Sequence, residues 1–181
     1  VAVLGNAYVE GTKFYEENPS SQEEIKTIAN NLYNKKESPE WDFYERCRAF
    51  NIAYVSRIVK SLGSQIAEKD LIYESEAGAD GKKIVLENTP KVFTESEGAV
   101  VYMPEDSKLH TAVFINSQGN PTYEAKDIGL LDLKFKKYNP DLSIFITDTQ
   151  QVSHFNVVLD AGAKINPDWK TKSLHRYHGR M

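Results

Sequence analysis

Apolar positions change rhythm along this chain near Gly63. Before it they recur at helical spacing. Ile25, Ile28, Ala29 and Leu32 form one stripe. The segment Pro19-Ser20-Ser21-Gln22-Glu23-Glu24 ahead of it supplies a Ser cap and first-turn acids, which favour the helix dipole. A second stripe, Ala49, Ile52, Ala53, Ile58, Val59 and Leu62, predicts a helix that begins close to Cys47 and stops at Gly63, the residue available for a left-handed cap. Ser38-Pro39 reads as a break before it. Residues 1–18 are mixed and predict no particular element.

After Gly63 the apolar runs are short. Residues 71–73, 82–87, 98–103 (GAVVYM), 109–115, 122–128, 142–147 and 154–159 read as strands. Residues 130–138 alternate apolar and charged side chains, with Lys134, Lys136 and Lys137 on the outer face of a strand. The segments AGADG (77–81) and NSQGNP (116–121) read as turns. The tail from residue 170 is polar and basic, and is expected to be loosely held. Helices followed by hairpins give an α+β class: N-terminal helices packed on an antiparallel β-sheet, in one domain over residues 1–181.

Composition narrows this only a little. At 181 residues, 40% hydrophobic and 27% charged, the chain has the make-up of a globular protein with a sizeable core. A formal net charge of −4 gives no electrostatic support for a nucleic-acid partner, and none is expected. The single cysteine excludes an internal disulfide. No apolar run approaches the roughly 20 residues of a membrane span. His175 and His178 have ligand-like spacing, but no second ligand cluster accompanies them, so neither a metal nor a cofactor is expected.

The candidate chemistry centres on Cys47. A thiol attacks carbonyls as thiolate, and a helix N-terminus together with the flanking Arg46 and Arg48 would lower its pKa. A nearby His would move the proton, and an acid would orient that His. In a hairpin turning near Gln118-Gly119, His110 and Asp127 come opposite each other, so Cys47, His110 and Asp127 form the favoured catalytic set. His154 and Asp168 are the competing pair, with Asn166 and Trp169 able to orient or cover an imidazole. Against this stands the plainer reading of a lone cysteine as a small buried hydrophobe.

Aromatic residues, a Cys followed by Arg48 and Ala49, and an amphipathic helix ending in Leu62-Gly63 resemble the nucleophile helix of transglutaminase-like and papain-like enzymes. The bacterial protein-glutaminases of that superfamily resemble it further, through Glu68 to Tyr73, His110 to Val113 and Asp127 to Leu131. The resemblance implies a cysteine enzyme acting on glutamine side chains of a protein substrate through a thioester: a deamidase, with transglutaminase and protease chemistry as variants. It also implies a secreted or host-delivered bacterial effector. The alternative from another class is a non-catalytic protein-interaction domain, suggested by the ten tyrosines.

Overall fold

The computed structural model describes residues 2–106 and 108–179, and the chain divides into two units, residues 1–71 and 72–181. The first unit is helical. It contains α1 (Ala2–Glu17), a 3-10 turn (Pro19–Ser21), α2 (Gln22–Tyr33) and α3 (Pro39–Ser61). Ser38-Pro39 is the start of α3 rather than a break before it. Ser38 is extended, its hydroxyl accepts the Trp41 N–H at 3.2 Å, Pro39 occupies the first turn, and Glu40 and Asp42 face the positive end of the dipole. The other end is as expected: Gly63 has φ +79°, and the Ser64 N–H closes on the Val59 carbonyl at 3.2 Å. None of the described side chains in this unit is buried.

The second unit carries the core. Its elements are α4 (Glu74–Glu87), β1 (Thr94–Ser96), β2 (Ala99–Tyr102), β3 (Ala112–Ile115), α5 (Tyr123–Tyr138), β4 (Ser143–Asp148), α6 (Val152–Ile165), α7 (Pro167–Thr171) and β5 (Ser173–His178). Strands β1, β2 and β3 form an antiparallel sheet, with a bulge between Val100 and Val101 where β2 meets β3. Strands β4 and β5 pair in parallel from Ser143↔Ser173 to Asp148↔His178, joined through α6 and α7. Parallel neighbours need a crossover connection of this kind.

The predicted frame of helices on one antiparallel sheet, papain-like or transglutaminase-like, is therefore not what forms. Five segments expected to be strand or turn are helix. AGADG and residues 82–87 lie inside α4, residues 123–128 and 130–138 lie in α5, and residues 154–159 lie in α6. The tail expected to be loose supplies β5. Burial explains the two helices α5 and α6. Ala125, Ile128 and Leu131 of α5 are fully buried, and Phe155, Val158 and Ala161 of α6 are buried. Both sets follow a spacing of three, which is a helical stripe.

Glycines in α4 and α5 explain why AGADG is not a turn. A Cβ on Gly81 would lie 1.8 Å from the Ala125 carbonyl oxygen, and one on Gly129 would lie 1.9 Å from the Ala77 oxygen. The two helices thus touch backbone to backbone at Ala77/Gly81 and Ala125/Gly129. Around this crossing the core gathers Val85, Phe93, Tyr102, Phe114, Ile128 and Val157, all 2% exposed or less.

Candidate active site

A group of interacting ionisable side chains lies where α6 meets the first turns of α5. Thr122 precedes α5; its hydroxyl donates to the Val113 carbonyl at 2.6 Å, and its N–H to the Phe114 carbonyl at 3.0 Å. These bonds tie the start of α5 to the end of β3. Glu124 and Asp127 follow at i and i+3 and so share a face. From α6, His154 reaches between them. Its Nε2–H donates to Asp127 Oδ2 at 2.5 Å, and its Nδ1 lies 3.6 Å from Glu124 Oε1.

Burial of His154 opposes its charge, but the Asp127 and Glu124 carboxylates outweigh that and hold its pKa up at about 9. Burial likewise opposes charge on Glu124, yet bonding to His154, to its own backbone N–H and to Thr122 keeps it below the ordinary carboxylate range. Near neutral pH the trio is two carboxylates and one imidazolium, with one negative charge in excess. His154 is 14% exposed, against 23% for Glu124 and 24% for Asp127. Both acids therefore keep more open surface than the imidazolium. Lys134, two turns further along α5, has its Nζ 3.9 Å from the Phe145 ring centre, and burial lowers its pKa. His175 stacks on Phe155 at 4.5 Å and bonds the Thr147 hydroxyl through Nε2 at 2.8 Å. Burial, and then the charge on His154, lower the pKa of His175.

The sequence-predicted residues are redistributed. Cys47 sits more than two turns inside α3, so its own N–H belongs to the helical ladder and no free helix end faces its sulfur. It borders an apolar groove with Leu4, Ile28, Leu32, Phe43 and Tyr44. His110 precedes β3 and shares its Nδ1 with the Ser153 hydroxyl at 3.1 Å, rather than facing Asp127 across a hairpin. Asp127 instead meets His154, because both lie on helices. Asp168 pairs with Lys172 at 2.8 Å, Asn166 caps α7, and Trp169 is buried in the core. Each predicted His–Asp pair thus contributes one half of the observed contact. Glu124 escaped notice. Its signal was the i, i+3 spacing with Asp127, visible only once residues 122–138 are read as helix.

Comparison with known proteins decides the family. The family model for the catalytic domain of class I tRNA synthetases (R) matches residues 1–181, the whole chain. The chain belongs to this family. This synthetase-family chain is 26% identical over 188 residues to an arginine–tRNA ligase of Borrelia garinii subsp. bavariensis, covering 99% of the chain and 32% of that relative. It is 25% identical over 172 residues to the arginine–tRNA ligase of Clostridium perfringens, covering 90% of the chain and 29% of that relative. Its fold matches a crystal structure of arginyl-tRNA synthetase from Plasmodium falciparum with a TM-score of 0.70 at 22% identity, over 93% of the chain and 29% of that protein. The chain thus spans about a third of the length of these relatives.

These findings overturn the protein-glutaminase and transglutaminase-like assignment. With it go the cysteine hydrolase, deamidase or protease activity and the secreted or host-delivered setting that depended on it. The exclusion of a nucleic-acid partner from net charge also fails, since the family is one of tRNA synthetases.

Proposed function

We propose that this chain contributes to an arginine–tRNA ligase and that the outer faces of Glu124 and Asp127 receive the arginine guanidinium. The observation that carries this reading is the excess negative charge of the Glu124–His154–Asp127 trio, with both acids more exposed than the cation between them. A guanidinium is planar, permanently charged and suited to bonding carboxylate oxygens in pairs. A buried lone acid would suit it less, because the group must be approached from solvent. The names of the relatives supply the amino acid, and the site supplies its chemical complement. Joining the arginine carboxylate to a tRNA hydroxyl is uphill in water, so the partners are arginine, tRNA and a phosphoanhydride such as ATP that activates the carboxylate. Calorimetry of the full chain with L-arginine tests the site. Asp127→Asn removes a charge-assisted contact and is expected to weaken L-arginine binding about 10- to 100-fold, with L-citrulline binding poorly to both forms. Unchanged affinity in Asp127→Asn, or equal binding of L-citrulline, would overturn the assignment.

A further inference from the structure

We propose that His154 is a positioning residue of this subsite: held between Glu124 and Asp127, it aims the Asp127 carboxylate and surrenders its proton more readily when a guanidinium settles on the acids. The inference rests on the reading of Glu124 and Asp127 given above. Its geometry is independent of that reading. The Nε2–H of His154 bonds one Asp127 oxygen, Oδ2, at 2.5 Å, which fixes the plane of that carboxylate while the group as a whole keeps 24% of its surface. The Nδ1 side lies 3.6 Å from Glu124 Oε1, within ion-pair range, so the ring sits between the two acids while bonding Asp127. The ring is itself held, edge-on to Phe155 with centroids 5.3 Å apart.

The charged neighbours define what a second cation would do. Facing His154 are Glu124 and Asp127 from α5 and His175 from β5, with Lys134 further along α5. Of these only the two acids support the imidazolium. A guanidinium placed on their outer oxygens draws on the same negative charge and repels the imidazolium, so the His154 proton passes to water at lower pH. Ligand binding and proton release are then linked. A purely structural histidine, shielded from the ligand, would show no such linkage.

The chain has four histidines, so the test can be read on the ring itself. Imidazole nitrogen NMR of the full chain, titrated from pH 6 to pH 10 with and without saturating L-arginine, follows His154 without any substitution. His154 is expected to lose its proton near pH 9 in the free protein and about one pH unit lower with L-arginine, a roughly tenfold loss of proton affinity. L-citrulline, lacking the charge, is expected to leave it unmoved. At pH 7.5, His154→Ala is expected to weaken L-arginine binding about tenfold, and His154→Gln, which still offers an N–H to Asp127, to restore most of it. If L-arginine binds by calorimetry while the His154 titration stays put, the positioning role is wrong and the arginine site stands. If L-arginine does not bind at all, the functional reading fails first.

Discussion

His154 and Asp80 both keep a proton to higher pH than their free counterparts, for opposite reasons. Two acids support the charge on His154. Asp80, on α4, is disfavoured as an anion first by burial and then by the neighbouring Asp132 carboxyl, which together push its pKa up to about 6 despite Lys136 and Lys83. For both groups the folded pKa lies above the unfolded one, so their stabilising contribution is lost as pH rises. For Asp80 it is full below about pH 4 and gone above about 6. For His154 it is full below about 6.5 and lost through about 9. Thermal midpoints measured from pH 4 to pH 10 are expected to show the first loss vanish in Asp80→Asn and the second in His154→Gln. Asp80→Asn should also raise the midpoint at pH 7.5; a lower midpoint there would contradict the account. Asp127 and His154 were both visible in the sequence as ionisable residues on ordered elements. Their pairing was not, since it depends on two helices that were read as strands.

At the scale of elements, local signals were legible where the chain acts on itself. The acids in the first turn of α2, the terminal Gly63 of α3, the core of β2 and the extent of β4 follow from nearby residues alone, whereas the stripe expected to be buried along α3 leaves Ile58 and Leu62 exposed. The failures lie where a partner decides. Gly78 and Gly81 look like turn chemistry, but Gly81 is there to let α5 approach. Residues 130–138 alternate like a strand, yet Ala125, Ile128 and Leu131 keep a helical stripe that the longer window reveals. The start of α3 was misplaced by reading Ser38-Pro39 as an ending, which put Cys47 at a helix terminus that lies eight residues earlier (47 − 39). Helix propensity alone says that Gly129→Ala should stabilise α5 by about 1 kcal/mol. The crossing says the reverse. A methyl 1.9 Å from the Ala77 oxygen forces the helices apart, and chemical denaturation is expected to show a loss of about 1–3 kcal/mol. A more stable Gly129→Ala protein would mean that α4 and α5 do not meet this closely.

For the molecule as a whole, stability is unevenly placed. Every buried residue described lies at or beyond Ala77, while α1, α2 and α3 have none. Hydrogen exchange is therefore expected to be slowest at amides of Val85, Ile128 and Val157, and faster throughout the first unit. Slow exchange in α3 matching that of α5 would refute this. Whole-chain averages also misled the functional reading. A net charge of −4 describes the sum over 181 residues and says nothing of which surface a polyanion meets. The bare contact of α4 with α5 has one more effect. Two helices locked at their main chains cannot slide to absorb a bump, so any displacement is carried along the rod. Gly129 sits two residues from Asp127 and never touches its carboxyl partners. A bulkier residue there would still tilt Glu124 and Asp127 against His154, in a protein where all three of those side chains are intact.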